Sequence, residues 1–265
     1  MAAKATRHVQ LGTVLAGARR WSNSNVNPTF RGQVLLEDGS IVQAFIKDLE
    51  PRQLANELFT AALGLAAELP IPVPILATVD AGLLPVSGFP RPGTDQHIVF
   101  ASADAAASTV LQVISSATSG SPILAHLAAW NDLGHLYGFD AWVANIDRHA
   151  NNLLLSGAGA VWLIDHGHSF TGPAWKPAHL VPSKAYPNRL REWMTPALSE
   201  DQRAKAAGRA LKSAGEFQST DVNAIGSANF AADILGADFA VATEFLCNRV
   251  AHVEALASQA LEVLV

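Results

Sequence analysis

Apolar positions come in short stretches over the first hundred residues and in helical stripes after that. Two β-prone stretches, residues 30–36 and 41–46, flank Glu37-Asp38-Gly39-Ser40. Asp-Gly is strong hairpin-turn chemistry because glycine accepts positive φ, so residues 29–47 are expected to form a β-hairpin. Ahead of it, residues 22–28 are too rich in Ser, Asn and Pro for a regular element. A further strand is expected around residues 8–15. Pro51 suits the first turn of a helix, where its missing N–H costs nothing. Leu54, Leu58, Ala61, Ala62 and Leu65 then recur at helical spacing, predicting a helix through Leu69. Pro70, Pro72 and Pro74 end it, and extended segments follow at residues 75–79 and 96–101.

Beyond Ser102 the pattern becomes helical. Residues 105–115 and 122–137 are expected as helices, the second with Ser121 as N-cap and Pro122 at its first position. Ser199-Glu200-Asp201-Gln202 has the form of a capping box, and Leu246, Val250, Val253, Ala257 and Ala260 make an apolar stripe. The expectation is an α+β protein: a small β-rich part, residues 1–101, and a larger α-rich part, residues 102–265.

Composition narrows the class. Of 265 residues, 49% are hydrophobic and 15% charged, so the chain can build a real core. A net charge of −5 gives no global attraction to nucleic acid or anionic lipid, and no direct nucleic-acid binding is expected. Cys247 is the only cysteine, which excludes an intrachain disulfide and a cysteine-based zinc site and fits a reducing cytoplasm. The longest apolar region, about residues 54–79, is broken by Glu57, Glu68 and three prolines and would not span a bilayer.

The chemistry concentrates in one segment. Asp147-Arg148-His149-Ala150-Asn151-Asn152 leads into Leu153-Leu154-Leu155, a turn at residues 156–160, and Val161-Trp162-Leu163-Ile164, which delivers Asp165-His166-Gly167. If these strands pair as a hairpin, Asn152 entering the first and Asp165 leaving the second lie at one open end. Asp147 can curl over that end. A carboxylate, an amide and a second carboxylate then converge, an oxygen set suited to magnesium shared with phosphates. This is the kinase order, D-x-x-x-x-N, hairpin, D-x-G, in which the first Asp orients the acceptor hydroxyl and the Asn and second Asp hold metal. Lys47, ending the second strand, is placed to bind phosphates, and Glu57 on the next helix to pair with it.

These residues resemble the HipA-like kinases and, more distantly, the phosphoinositide-kinase-like group. The resemblance runs from about residue 22 to 170 and includes Lys47, Ala55-Asn56-Glu57, the run from Leu69 to Pro74, and the two motifs around Asp147 and Asp165. It implies a bilobal protein-kinase-like fold with ATP and Mg2+ (or Mn2+). Catalysis would fall to Asp147 and Lys47. Glu57, Asn152 and Asp165 would join Lys47 in nucleotide binding, with Asn152 and Asp165 the metal ligands. It also implies a hinge strand at Val99-Phe100-Ala101 receiving adenine through its backbone, a phosphoacceptor that is a protein Ser/Thr, and an antitoxin-like partner. Two departures stand out. Residues 22–29 contain no glycine, and Ile146 replaces the arginine that precedes the catalytic Asp of ordinary protein kinases. In that family the corresponding loop can itself take a phosphate, which makes Ser22 and Ser24 autophosphorylation candidates. Residues 171–196 fall where kinases bind substrate. The alternatives are a lipid or small-molecule kinase, a nucleotide-binding pseudokinase, and a metal-dependent phosphohydrolase using His149, His166 and His168. Against the last of these, His149 is expected to pack under the loop and brace it by hydrogen bonds.

Overall fold

The computed structural model describes residues 8–22, 27–106, 108–110 and 122–263. It is α+β, sheet-rich toward the N-terminus and helical toward the C-terminus. The sheet comprises β1 (Gln10–Val14), β2 (Arg19–Ser22), β3 (Thr29–Leu36), β4 (Ile41–Lys47), β5 (Pro74–Asp80) and β6 (Gln96–Ala103), in the order β1-β5-β6-β4-β3-β2. β1 pairs with β5 in parallel and also with β3 antiparallel, Gly12 opposite Leu36 and Val14 opposite Val34. The strands other than β2 therefore close into a ring, and β2 takes the remaining edge of β3. Val34, Ile46, Ile75 and Val99 are fully buried inside it. β2 was not legible beforehand, since Arg19-Arg20 carry no apolar alternation.

The β3–β4 hairpin turns at Gly39, whose φ is +84°, in the conformation that Asp-Gly favours. Its register sets Thr29 opposite Lys47, so Lys47 emerges at one rim of the ring.

Helix α1 (Pro51–Ala66) starts at Pro51, as expected, but stops before Leu69. Glu68 turns left-handed (φ 60°) and Leu69 N donates to Gly64 O at 2.9 Å, a closure that satisfies carbonyls of the last turn. Every residue from Leu54 to Gly64 is buried, including Asn56, Glu57 and Thr60. The helix lies between the sheet and the helical region, so no face of it is solvated.

Two expected helices change. Residues 105–115 were expected to be helical, yet Ser108–Thr109 form a short strand, β7, because they find a partner edge in β8 (Leu153–Leu155). Residues 107 and 111–121, Ser121 among them, lie outside the described set. The single helix expected over 122–137 is two, α2 (Pro122–Ala129) and α3 (Leu133–Trp142), separated by turns in which Trp130 N donates to Leu127 O and Leu133 N to Trp130 O. The β8 strand pairs antiparallel with β9 (Val161–Leu163). The chain continues through α4 (Arg189–Trp193), α5 (Glu200–Gln218), α6 (Val222–Ala228), α7 (Ala231–Leu235), α8 (Asp238–Arg249) and α9 (Val253–Leu261). The Ser199 capping box forms reciprocally, Ser199 Oγ accepting from Gln202 N and Gln202 Oε1 from Ser199 N. Leu246, Val253, Ala257 and Ala260 are buried as their stripe requires. Trp142 stacks on Phe217 at 4.5 Å, tying α3 to α5. Among the described residues no helix is long and apolar enough to cross a membrane.

Candidate active site

The hairpin register does what its spacing demanded. Leu153 pairs with Leu163, and Ile164 N donates to Asn152 O at 3.1 Å, so Asn152 and Asp165 sit at the same end. The loop carrying Asp147 closes on itself. Asn145 Oδ1 accepts from Asp147 N at 3.0 Å, and the Asp147 carbonyl accepts from Asn152 Nδ2 at 2.7 Å. That last bond consumes the amide N–H of Asn152 and leaves its Oδ1 as the group a cation could use. Asp165 itself is left-handed (φ 59°), as are Phe170 and Thr171 just beyond it. Such backbone is sparsely populated outside glycine and gathers where function over-determines the chain.

What braces the loop is Arg148, which is fully buried. Its guanidinium meets the buried Asp140 of α3 (Nε to Oδ2 3.0 Å, Nη2 to Oδ1 3.1 Å). It also donates to Ile164 O at 2.8 Å and reaches His166 Nδ1 at 3.2 Å. One side chain thus ties α3, the β9 exit and the Asp-His-Gly segment together. His149 braces the loop more locally: half-buried, it accepts from Asn151 N through Nδ1 at 3.2 Å, and its Nε2 lies 3.6 Å from Asp147 Oδ2. Burial and the neighbouring charges of Arg148 and Lys47 push His166 well below its ordinary pKa, so it stays neutral and accepts from Arg148.

Lys47 forms an ion pair with Asp165, and its ammonium lies 5.8 Å from the Phe100 ring. Burial pulls the ammonium pKa down, and nearby Glu57 pulls it back up. Glu57 was expected to pair with Lys47; instead its Oε1 accepts from His166 N at 2.9 Å, holding the backbone just after Asp165. Beside it, buried Asn56 donates through Nδ2 to the carbonyls of Gly167, Ser169 and Gly172 and accepts from Trp175 Nε1. Helix α1 therefore positions the Asp165 segment through two adjacent polar side chains.

Two adjoining cavities meet at Lys47, Glu57 and Asp165. One, of about 270 Å³, is lined by Asp147, Asn152 and Asp165. The other, of about 510 Å³, extends past Phe100, Ser102, Ala103 and Ala105. The hinge expectation needs correction here. Strand β6 lies between β4 and β5, so the backbone of Val99, Phe100 and Ala101 is engaged in ladders, and Val99 and Ala101 point into the ring core. Only the Phe100 side chain reaches the cavity. Asp104 N still donates to Gln43 O of β4 at 2.8 Å, so the first main chain past the ladder that lines the cavity is Ala105.

The far side of Asp147 is covered by α4. Arg189 Nη1 lies 3.0 Å from Asp147 Oδ1, and Trp193 Nε1 donates to Arg148 O at 3.0 Å. Arg189 falls in the segment expected at the substrate side, whereas Asp140 and Trp193 were not singled out from sequence. Asp140 sits on a helix buried on all sides, where a charge leaves no amphipathic signature.

A family model for HipA-like kinases matches residues 36–220. The chain belongs to the HipA-like kinase family. The matched span contains every site residue named above, and membership makes the protein a phosphotransferase of the kinase class, with nucleotide and divalent-metal use in general terms. No curated protein matches the chain. Among the described residues no group of three or more His, Cys, Asp or Glu side chains is arranged to hold a metal. The phosphohydrolase alternative required such a cluster. A kinase site does not, since magnesium bound to phosphates takes only one or two protein oxygens, and Asn152 Oδ1 and the Asp165 carboxylate fit that need. Residues 23–26 and the Ser22 side chain lie outside the described set, and with them the glycine-free loop and its two serines.

Proposed function

We propose that this HipA-like family member is an ATP-dependent kinase of bilobal, protein-kinase-like fold, with residues 1–101 as the nucleotide-binding lobe and 102–265 as the catalytic lobe. It transfers the γ-phosphoryl group of ATP to a Ser/Thr hydroxyl of a protein. The observation that carries the reading is the convergence of Lys47 at the end of β4, Asp147 and Asn152 in one loop, and Asp165 after β9 on two connected cavities. Adenine occupies the wider cavity against the Phe100 ring and the main chain at Ala105, and the phosphates extend toward Lys47. Asn152 and Asp165 would hold Mg2+ (or Mn2+), which when bound would neutralise charge on the phosphates. Asp147 accepts the proton of the acceptor hydroxyl as its oxygen bonds the γ-phosphorus and the bridging P–O bond to ADP breaks. Nucleotide entry exchanges the Lys47–Asp165 ion pair for Lys47–phosphate and Asp165–metal contacts. Arg189 of α4, paired with Asp147, marks the side from which a peptide acceptor would approach.

The test is label transfer from γ-labelled ATP with Mg2+ or Mn2+ to Ser/Thr peptide arrays, lipids and small alcohols. Transfer to peptides, lost in Asp147→Asn, is the expected result. Nucleotide binding with no transfer to any acceptor would make the protein a pseudokinase, and transfer to lipid alone would move the acceptor class.

A further inference from the structure

On the face of the catalytic loop away from the nucleotide cavities lies a third cavity of about 470 Å³. One wall is the end of α3 and the loop after it, Asp140 to Asn145. The opposite wall is residues 185–188 and α4, and the floor comes from α8 and α9. At its base is Arg249, only 2% exposed. Nε donates to Ala141 O at 2.6 Å and Nη1 to Pro182 O and Lys184 O at 2.7 and 2.9 Å. Three of the five guanidinium N–H groups are thereby used, and both on Nη2 remain. The rings of Tyr186 and Phe245 lie 5.0 and 5.3 Å from its carbon. Carbonyl dipoles and ring faces meet the charge, but no carboxylate among the described residues pairs with it. Burial pulls its pKa down to about 10. A guanidinium taken from water without a counter-ion is costly, and an anion is the partner that relieves the cost.

The other charges around the cavity decide which anion. Asp140 is committed to Arg148, and Glu262 to Arg191 and Arg203, both at 3.1 Å. Glu192 is exposed on the lining and carries no ion pair among the described residues. This acidic rim opposes a doubly charged phosphate, and one free nitrogen at the base asks for a single negative group. Pro187, Pro196, Leu256 and Ala260 supply apolar surface between rim and base. We infer that this cavity is a binding site for a small organic monocarboxylate, its carboxylate on Arg249 Nη2 and its apolar body against Leu256 and the two prolines. Arg249 lies beyond the span matched by the family model, while the walls from Asp140 to Asn145 and from Ala185 to Glu192 lie within it. It also touches Asn145, whose side chain holds Asp147 N, so occupancy bears on the loop that carries the proposed base.

The site is tested without reference to phosphoryl transfer, so it stands or falls separately from the kinase reading. Thermal shift and calorimetric titration of the full chain use benzoate and octanoate, with benzamide and octanamide as neutral matches and inorganic phosphate as the dianion. A saturable rise in Tm with at least one carboxylate, absent with its amide and with phosphate, is expected. Arg249→Met should weaken binding about tenfold or more, the loss of one charge-assisted hydrogen bond. Gln259→Trp, at an exposed helix position on the cavity wall, should block the site while leaving the core untouched, and it carries the test if Arg249→Met does not fold. Equal shifts with acid and amide, no saturable binding of either carboxylate, or full binding in Gln259→Trp overturns the proposal.

Discussion

Asn56 connects helix α1 to the chain beyond Asp165, and replacing it isolates what hydrogen bonding contributes there. Its side chain is fully buried, and its two N–H groups serve three carbonyls more than a hundred residues away, at 3.1, 3.1 and 3.3 Å. Asn56→Asp keeps the shape and the acceptor for Trp175 but turns the donor into an acceptor facing those carbonyls. The Ser169 carbonyl keeps Gly172 N as donor, so the carbonyls of Gly167 and Gly172 are left unpaired, and at about 1–3 kcal/mol each this gives a destabilisation of roughly 2–6 kcal/mol. At this chain length that is a Tm lower by roughly 10 °C. Urea denaturation of wild type and variant gives the free energy, with Asn151→Asp, an exposed neighbour of Asn152, as a control expected within about 0.5 kcal/mol. The same variant should weaken nucleotide binding, because the Asp165 segment loses one of its two anchors in α1. A change below about 1 kcal/mol would refute the claim that these bonds hold the segment.

Asp147→Asn should leave ATP affinity largely intact and cut transfer by about 10²–10⁴-fold, whereas Asp165→Ala should weaken metal-dependent nucleotide binding itself; nucleotide titration beside label transfer separates the two, and equal loss of affinity would show the carboxylates are wrongly assigned. His166 is held neutral below its ordinary 6.5, so the native state binds fewer protons than the unfolded one and stability, full above that value, falls as pH drops below it. His166→Asn should flatten the slope of stability between pH 6.5 and 5, and an unchanged slope would place the lost protons elsewhere. At the α3–α5 crossing, a Cβ on Gly134 would meet Ala206 O at 2.2 Å, while one on Gly138 finds its nearest atoms at 3.4 Å. Gly134→Ala should therefore cost about 1–3 kcal/mol by forcing backbones apart, and Gly138→Ala should be neutral or stabilising by up to about 1 kcal/mol from helix propensity, both read from denaturation midpoints.

The Asp-Gly hairpin, Pro51 as a helix start, the Ser199 capping box and the β8–β9 strand–turn–strand were all legible because each is local: turn geometry, a cap or a register decides it within a few residues. The convergence of Asn152 and Asp165 belongs with them, since antiparallel pairing brings those positions together whatever the rest of the chain does. Where a segment's partner is distant in sequence, the pattern misled. Ser108–Thr109 became strand because β8 offered an edge, and β6 lost its hinge role because β4 and β5 flank it. Glu57 turned from Lys47 to the His166 amide for the same reason. A side chain surrounded on every side takes its partner from the tertiary fold, and neither the polarity nor the spacing of α1 encodes which one. The buried charges Asp140, Arg148 and Arg249 follow the same rule. Their types are visible in the chain, but whether each meets a carboxylate, a carbonyl or an open cavity is decided only when helices far apart in sequence pack together.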